Sequence, residues 1–169
     1  MVVNGMKETW YKILKDEKYC SEVLDIFCAL HDYMITDINY EYQNKTLKIY
    51  FRYDSDDEGA VLKFLGVKRL HIFAADESQW VMGTKVRPTT DNTLLWCDIE
   101  DDLSTEELVK GTDYNWVEAD EIHFAWLDKN NEIIPLTEGR LNPVWRILNY
   151  ETGRYEDVRR PHRSEFSKR

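Results

Sequence analysis

The chain has 169 residues, of which 43% are hydrophobic and 13% aromatic, and its formal net charge is −10. This length and composition fit one globular domain that can bury a core of its own, and they exclude both a disulfide-stapled miniprotein and a disordered chain. The apolar runs are far shorter than the roughly 20 residues of a membrane-spanning helix, so we expect no contact with a membrane. The first residues do not resemble a signal peptide, and three cysteines are an odd number for a disulfide framework, which together predict a cytoplasmic protein with reduced thiols.

The negative charge is unevenly distributed along the chain. Residues 152–169 contain six Arg or Lys against three carboxylates, a net of +3, so the remainder carries −13. A body this acidic repels phosphate backbones, which disfavours nucleic acid as a partner. It attracts cationic molecules over a distance instead, so we expect a basic protein as the partner, the alternative being that the charge serves only solubility.

The first third of the chain predicts two short helices followed by a β-hairpin. Apolar residues recur at three- and four-residue spacing in residues 10–14 and again in residues 21–30, as in amphipathic helices. From residue 34 the apolar period changes to two and continues to residue 42. The turn-forming residues 43–45 then lead into the alternating residues 47–51, which predicts the returning strand of a hairpin.

Further strands and one helix follow. Ser104 and Glu107 form a capping-box pattern, and Gly111 lies where a helix-ending glycine belongs, so residues 104–110 predict a short helix. Gly66 is expected at a bulge or turn. Alternating or continuous apolar patterns predict strands in residues 60–65, 70–73, 94–99, 122–126, 132–136 and 144–149.

These elements predict an α+β fold, with a largely antiparallel sheet of six to eight strands and two or three short helices packed on one face. Residues 1–152 are predicted to form a single acidic α+β domain. Residues 153–169 are polar and poorly patterned, and they predict a basic, flexible C-terminal tail.

Two groups of residues are candidates for binding a partner. The first group consists of acidic residues that we predict to be exposed, and its members are Asp54, Asp56, Asp57, Glu58, Glu100, Asp101 and Asp102. The second lies on the strand phase opposite to the apolar core positions, where aromatic and imidazole groups would form a recognition surface, and its members are Tyr50, His71 and His123.

Metal-dependent hydrolysis is the alternative hypothesis, because His31 and Asp32 resemble the paired ligands of the HD phosphohydrolases. The simpler interpretation is that the pair ends a helix. Residues 54–59 begin like an EF-hand loop, but Leu65 stands where calcium coordination needs a bidentate Glu, so a solvated turn is favoured. We therefore predict no catalytic residues, no bound metal and no cofactor.

A series of short patterns runs from residue 31 to residue 73. A His-Asp pair is followed by I-x-x-I-x-Y from Ile35, T-L-x-I-x-F from Thr46 and L-x-F-x-G-V from Leu62. This order resembles small bacterial domains of unassigned function, a group that includes proteins similar to polymorphic-toxin immunity proteins. The resemblance implies a non-enzymatic cytoplasmic protein that binds one protein partner.

Overall fold

The protein is described from a computed structural model, which covers residues 10–13, 15–16, 20, 30–53, 57–72, 80–81, 83–99, 103–111, 113–134, 144–149, 154–159, 161, 165 and 167. Ten strands and one helix have both ends within these ranges. Their bounds are β1 (Tyr11–Ile13), β2 (Tyr33–Glu41), β3 (Thr46–Tyr53), β4 (Gly59–His71), β5 (Trp80–Val81), β6 (Lys85–Pro88), β7 (Leu94–Cys97), α1 (Thr105–Lys110), β8 (Trp116–Leu127), β9 (Val144–Asn149) and β10 (Arg154–Arg159).

The fold is mostly β, so the predicted α+β class with two or three helices on one face is wrong. Residues 10–14 illustrate the physical reason: apolar residues at positions 10, 13 and 14 suit a helix, but Tyr11 and Ile13 also alternate as in a strand. Five residues are too few to separate the two periods. Pairing with the edge of β8 decides the outcome, and residues 11–13 form β1. The second predicted helix, residues 21–30, lies outside the described residues except for Leu30.

The main sheet has eight strands, and its strand pairs in the described part of the chain are antiparallel, as predicted. Its order is β5-β2-β3-β4-β8-β7-β6. The strand β8 pairs with β4 along one edge, and its other edge is shared between β7, near Trp116, and β1, near Phe124. This places β8 in the interior of the sheet, next to the central β4, and β2 next to the end strand β5.

One face of the sheet, here called the inner face, carries the main core. Leu47, Ile49 and Phe51 alternate into this core and are at most 1% exposed, which confirms the predicted hairpin pattern. The same core contains Ile122, Phe124 and Trp126, whose burial was also predicted from their alternation. The opposite face of the sheet is called the outer face.

The strand β4 is irregular at Gly66, the residue expected at a bulge or turn. Gly66 has a φ of +64°, and a Cβ atom there would lie 2.2 Å from Oδ2 of Asp120. The register of β4 against β8 shifts just beyond, between Val67 and Arg69. A glycine is required here because an L side chain is strained at this φ and also lacks space.

The helix α1 confirms its predicted start. The Ser104 hydroxyl accepts a hydrogen bond of 3.2 Å from the backbone amide of Glu107, and the Glu107 carboxylate accepts one of 2.8 Å from the backbone amide of Ser104. Gly111 ends the helix with φ −73°, outside the left-handed region, and the reason for a glycine is the Tyr114 side chain packed against its Cα. Leu108 packs with Leu95, Cys97 and Trp116, so α1 covers the β7 end of the outer face.

A separate two-stranded sheet lies at the C-terminal end. The predicted strand at residues 144–149 is β9, and it pairs antiparallel with β10 from Arg154–Asn149 to Arg159–Val144. Six residues of the predicted flexible tail are therefore paired in a strand. The proposed division at residues 152 and 153 stays a prediction.

Candidate functional site

The structure places only two of the seven predicted acidic binding residues. Asp54, Asp56, Glu100, Asp101 and Asp102 lie outside the described residues. Asp57 is exposed in the turn between β3 and β4, where its backbone carbonyl accepts a hydrogen bond of 2.8 Å from Arg52. The same guanidinium donates to the carbonyl of Asp128 at 2.6 Å, so Arg52 fixes the base of this turn.

Glu58 differs from its prediction, because it is buried. It is 6% exposed, and its carboxylate accepts a hydrogen bond of 2.6 Å from the hydroxyl of the buried Tyr33. A carboxylate in this position holds β2 against the β3–β4 turn and adds nothing to an exposed acidic surface. The acidic residues on either side of Glu58 in the sequence gave no indication that its side chain is buried.

Tyr50, His71 and His123 do not form one recognition surface. Tyr50 and His123 lie on the outer face in neighbouring cross-strand rows, since Tyr50 pairs with Val61 and His123 pairs with Lys63. His71 lies eight residues beyond Lys63 along β4, past Gly66 and the register shift between Val67 and Arg69. Its ring stacks on Trp116, and its Nδ1 lies 3.0 Å from the carbonyl oxygen of Tyr114.

His123 belongs to a chain of polar contacts between β1 and β8. Its Nε2 lies 3.0 Å from one carboxylate oxygen of Glu121, and the Lys12 ammonium donates to the other oxygen at 2.5 Å. Burial lowers the pKa of His123 and outweighs the opposing effect of Glu121. Hydrogen bonds from Lys12 and His123 lower the pKa of Glu121. These contacts attach β1 to the sheet.

The His31–Asp32 pair of the hydrolase hypothesis is formed in the structure. Nδ1 of His31 lies 3.0 Å from Oδ2 of Asp32, and the two side chains are 45% and 53% exposed. Among the residues that the structure describes, no three His, Cys, Asp or Glu side chains come together in a way that would hold a metal ion.

Cys97 and Asp98 lie near His71, and their surroundings are those of structural groups. Burial raises the pKa of the Cys97 thiol, which disfavours the thiolate that a nucleophile needs. Burial also raises the pKa of Asp98, whose carboxylate accepts a hydrogen bond of 2.7 Å from the backbone amide of Asn115. These contacts join the end of β7 to the start of β8.

An unpaired sheet edge on β2 is the feature that sequence reasoning missed. The strand β5 pairs with β2 only at Tyr33 and Met34, and no other described strand pairs along that edge. A register shift between Ile35 and Asp37 separates the β5-paired part from the rest. Residues 37–42 beyond the shift are here called the open edge.

Large aromatic side chains are exposed along this edge. Tyr40 is 40% exposed and Tyr42 is 82% exposed, and their rings meet edge-to-face at 6.2 Å. Trp80 of β5, at the other end of β2, is 45% exposed. Tyr and Trp are enriched among the side chains that anchor protein interfaces, because they bury a large area at little cost in conformational entropy.

The β2 segment is also uniformly acidic. From residue 32 to residue 44 the chain contains three carboxylates, Asp32, Asp37 and Glu41, and no Lys or Arg. All three residues are exposed. Within β2 the aromatic side chains are therefore flanked by carboxylates, and the nearest positive charge across the sheet is Lys48 of β3, which pairs with Asn39.

The other edge of the sheet has the features that block strand addition. The strand β6 has only four residues, ends in Pro88 and carries Lys85 and Arg87. Short length, proline and positive charge are the devices by which natural sheets protect their edges. The open edge on β2 has neither proline nor lysine, and its protective features are the register shift at its start and the carboxylates of Asp37 and Glu41. Its greater length and its exposed tyrosines make it the candidate binding site.

Comparison with protein-family models, with curated proteins and with solved structures found no match to this chain. No helix in the described ranges is long and apolar enough to cross a membrane.

Proposed function

We propose that this chain is a non-enzymatic protein-binding domain that captures a cationic protein partner at the acidic, aromatic side of β2. The observation that carries the proposal is the combination found at the open edge. Exposed Tyr40 and Tyr42 supply apolar contact area, while Asp37 and Glu41 supply negative charge beside them.

Two physical effects would act together at this site. Long-range attraction between the acidic body and a basic protein raises the encounter rate. The aromatic rings then supply the short-range burial that slows dissociation. The resemblance to immunity proteins fits such a role, in which the chain would bind one protein in the cytoplasm.

Affinity capture from host cells with matched bait variants tests the proposal. The edge variant is Asp37→Asn with Glu41→Gln, and the control variant is Asp91→Asn with Glu106→Gln. Each pair removes two exposed carboxylates, but the control sites lie in the β6–β7 turn and on α1. We expect wild type and control to recover the same basic protein and the edge variant to recover several-fold less.

A partner without excess positive charge, or equal recovery by the edge and control variants, would contradict the proposal. Calorimetry with magnesium, manganese and zinc tests the alternative hydrolase. Stoichiometric metal binding that is lost in both His31→Ala and Asp32→Ala would replace protein binding by metal-dependent hydrolysis as the proposed function.

A further inference from the structure

The register of β2 against β3 assigns each side chain of the open edge to a face of the sheet. Ile38 pairs with Ile49 and Tyr40 pairs with Leu47, so both lie on the inner face, where Ile38 packs against the main core and Tyr40 is 40% exposed. The outer face carries the pairs Asp37–Tyr50, Asn39–Lys48 and Glu41–Thr46. Directly paired residues of adjacent strands share a face.

A strand added beside the open edge would meet these two faces with alternate side chains. Its inner-face residues would pack against Ile38 and Tyr40, where apolar groups continue the core. Its outer-face residues would lie opposite Asp37 and Glu41, where Lys or Arg forms favourable cross-strand pairs. The edge therefore matches an extended segment that alternates basic and apolar residues.

We infer that the open edge accepts such a segment of the partner as an additional β-strand, an inference that rests on the proposed function. The amide and carbonyl groups of an edge strand supply the main-chain hydrogen bonds, and the alternating side chains supply the selectivity. On this edge the Ile38 amide donates to Oδ1 of Asp37 at 2.9 Å, so a carbonyl of the added strand would replace that contact. The five strand residues from 37 to 41 match the usual strand length of about 5 to 6 residues.

A second copy of this chain is a poorer occupant of the same edge. Antiparallel pairing of two open edges centred on Asn39 places Asp37 of each copy opposite Glu41 of the other. Like charges directly opposite one another destabilise a sheet. Charge therefore favours a basic segment over self-association.

Binding of labelled peptides, measured by fluorescence anisotropy, tests strand addition. The first probe is a peptide of about nine residues that alternates Lys with Val and Thr. The second has the same composition with its lysines in one block, and the third is the alternating peptide with N-methyl groups on alternate amides. The second keeps the charge but loses the alternation, and the third keeps both but loses main-chain donors.

We expect the alternating peptide to bind at least about tenfold more tightly than either comparison peptide. Only this peptide places suitable side chains on both faces of the sheet and also keeps all of its main-chain hydrogen-bond donors. It should also slow hydrogen exchange of amides in residues 37–41. The variant Asp37→Asn with Glu41→Gln should weaken its binding several-fold, whereas Asp91→Asn with Glu106→Gln should not. Thermal melts of each variant establish that it is folded.

Equal binding of all three peptides in a salt-sensitive manner would overturn strand addition and leave charge-driven capture intact. A lack of protection in residues 37–41 on binding would do the same. No binding by any of the peptides, together with partner capture that is unchanged in the edge variant, would count against both proposals. Dimerisation through residues 37–41, seen by sedimentation and lost on Tyr40→Ala, would assign the edge to a second copy.

Discussion

Glu58 is a buried acidic residue whose side chain is hydrogen-bonded to Tyr33. The Tyr33 hydroxyl donates to it at 2.6 Å, and Tyr33 itself is 1% exposed, with its ring packed edge-to-face against Tyr53 at 5.5 Å. A hydrogen bond to a buried charged group contributes more to stability than one in water, because the carboxylate has lost its hydration. The pair thus links β2 to the turn that precedes β4.

Substitution of Tyr33→Phe should lower the free energy of unfolding by about 1 to 3 kcal/mol, since it removes this donor and keeps the ring. Urea denaturation measures the change. Tyr42→Phe, at a side chain that is 82% exposed, is the matched control and should change stability by less than about 0.5 kcal/mol. Equal effects of the two substitutions would show that the Tyr33–Glu58 hydrogen bond contributes nothing.

Phe51 tests the assignment of the main core. It is fully buried and meets Trp96 edge-to-face at 6.2 Å. Phe51→Ala should cost about 3 to 5 kcal/mol in denaturant melts, because both the buried area and the packing contacts are lost. A loss below about 1 kcal/mol, or one no larger than that of Tyr42→Ala, would remove Phe51 from the core.

For individual residues, burial was predicted well where apolar and polar residues alternate strictly, and poorly where they do not. Leu47, Ile49 and Phe51 were correctly assigned because a period of two fixes which side chains share a face. Glu58 was assigned to solvent because acidic residues surround it. Its burial depends on Tyr33, which is 25 residues away along the chain, and no local pattern records such a contact.

The short strand β1 is attached to β8 by three residue pairs and by the Lys12–Glu121–His123 contacts. The charged groups that face His123 are Glu121, Lys12 and Lys63, and its own burial has the largest effect in lowering its pKa. The unfolded chain therefore binds a proton at His123 at a higher pH than the folded chain does. Stability from this site is present above the unfolded-state pKa of about 6.5, and it is lost as the pH falls from there through the lower pKa of the folded state.

Denaturation of wild type and His123→Gln at about pH 7.5 and about pH 5.5 measures this contribution. The wild type should lose more stability over this interval than the variant, because Gln carries no titratable group. Glu121 stays ionised in both proteins, since its pKa is lowered. A variant that loses as much stability as the wild type would show that His123 does not contribute to the pH dependence.

The pairing of β10 with β9 gives a test of the C-terminal boundary. Backbone amides of residues 154–159 that face β9 should exchange with solvent more slowly than expected for a flexible tail. Hydrogen exchange followed by NMR measures this directly. Exchange at the rate of an unstructured peptide throughout these residues would support the original prediction of a flexible tail.

Helices and strands were predictable where the pattern of apolar residues was long, and the prediction was ambiguous where that pattern was short. The hairpin of β2 and β3 and the capped helix α1 follow from alternation and from the Ser104–Glu107 pair, which are local signals. The strand β1 was mistaken for a helix because its few apolar residues fit both periods, and its pairing with β8 joins residues over 100 positions apart. The fold class depended on such pairings.

For the whole molecule, the charge of −10 is the basis on which a cationic partner is proposed, but it does not indicate where on the surface such a partner would bind. The tyrosines at positions 40 and 42 were visible in the sequence as one side of a strand. Their significance comes from the lateral position of β2 in the sheet, with β5 covering only its first two residues. Strand order is set by contacts across the whole chain, so the open edge could not be predicted from any one segment.

The central claim is that an acidic edge of the sheet captures a cationic protein, and stopped-flow measurement of the association rate constant tests it most directly. The captured partner is mixed with wild type and with the Asp37→Asn, Glu41→Gln variant while ionic strength is raised from about 0.1 M to about 1 M, which shortens the screening length from about 10 Å to about 3 Å. The association rate of the wild type should fall steeply with salt while dissociation changes less, and the variant should associate more slowly with a weaker salt dependence. An association rate that is independent of salt, or identical in the two proteins, would contradict the account.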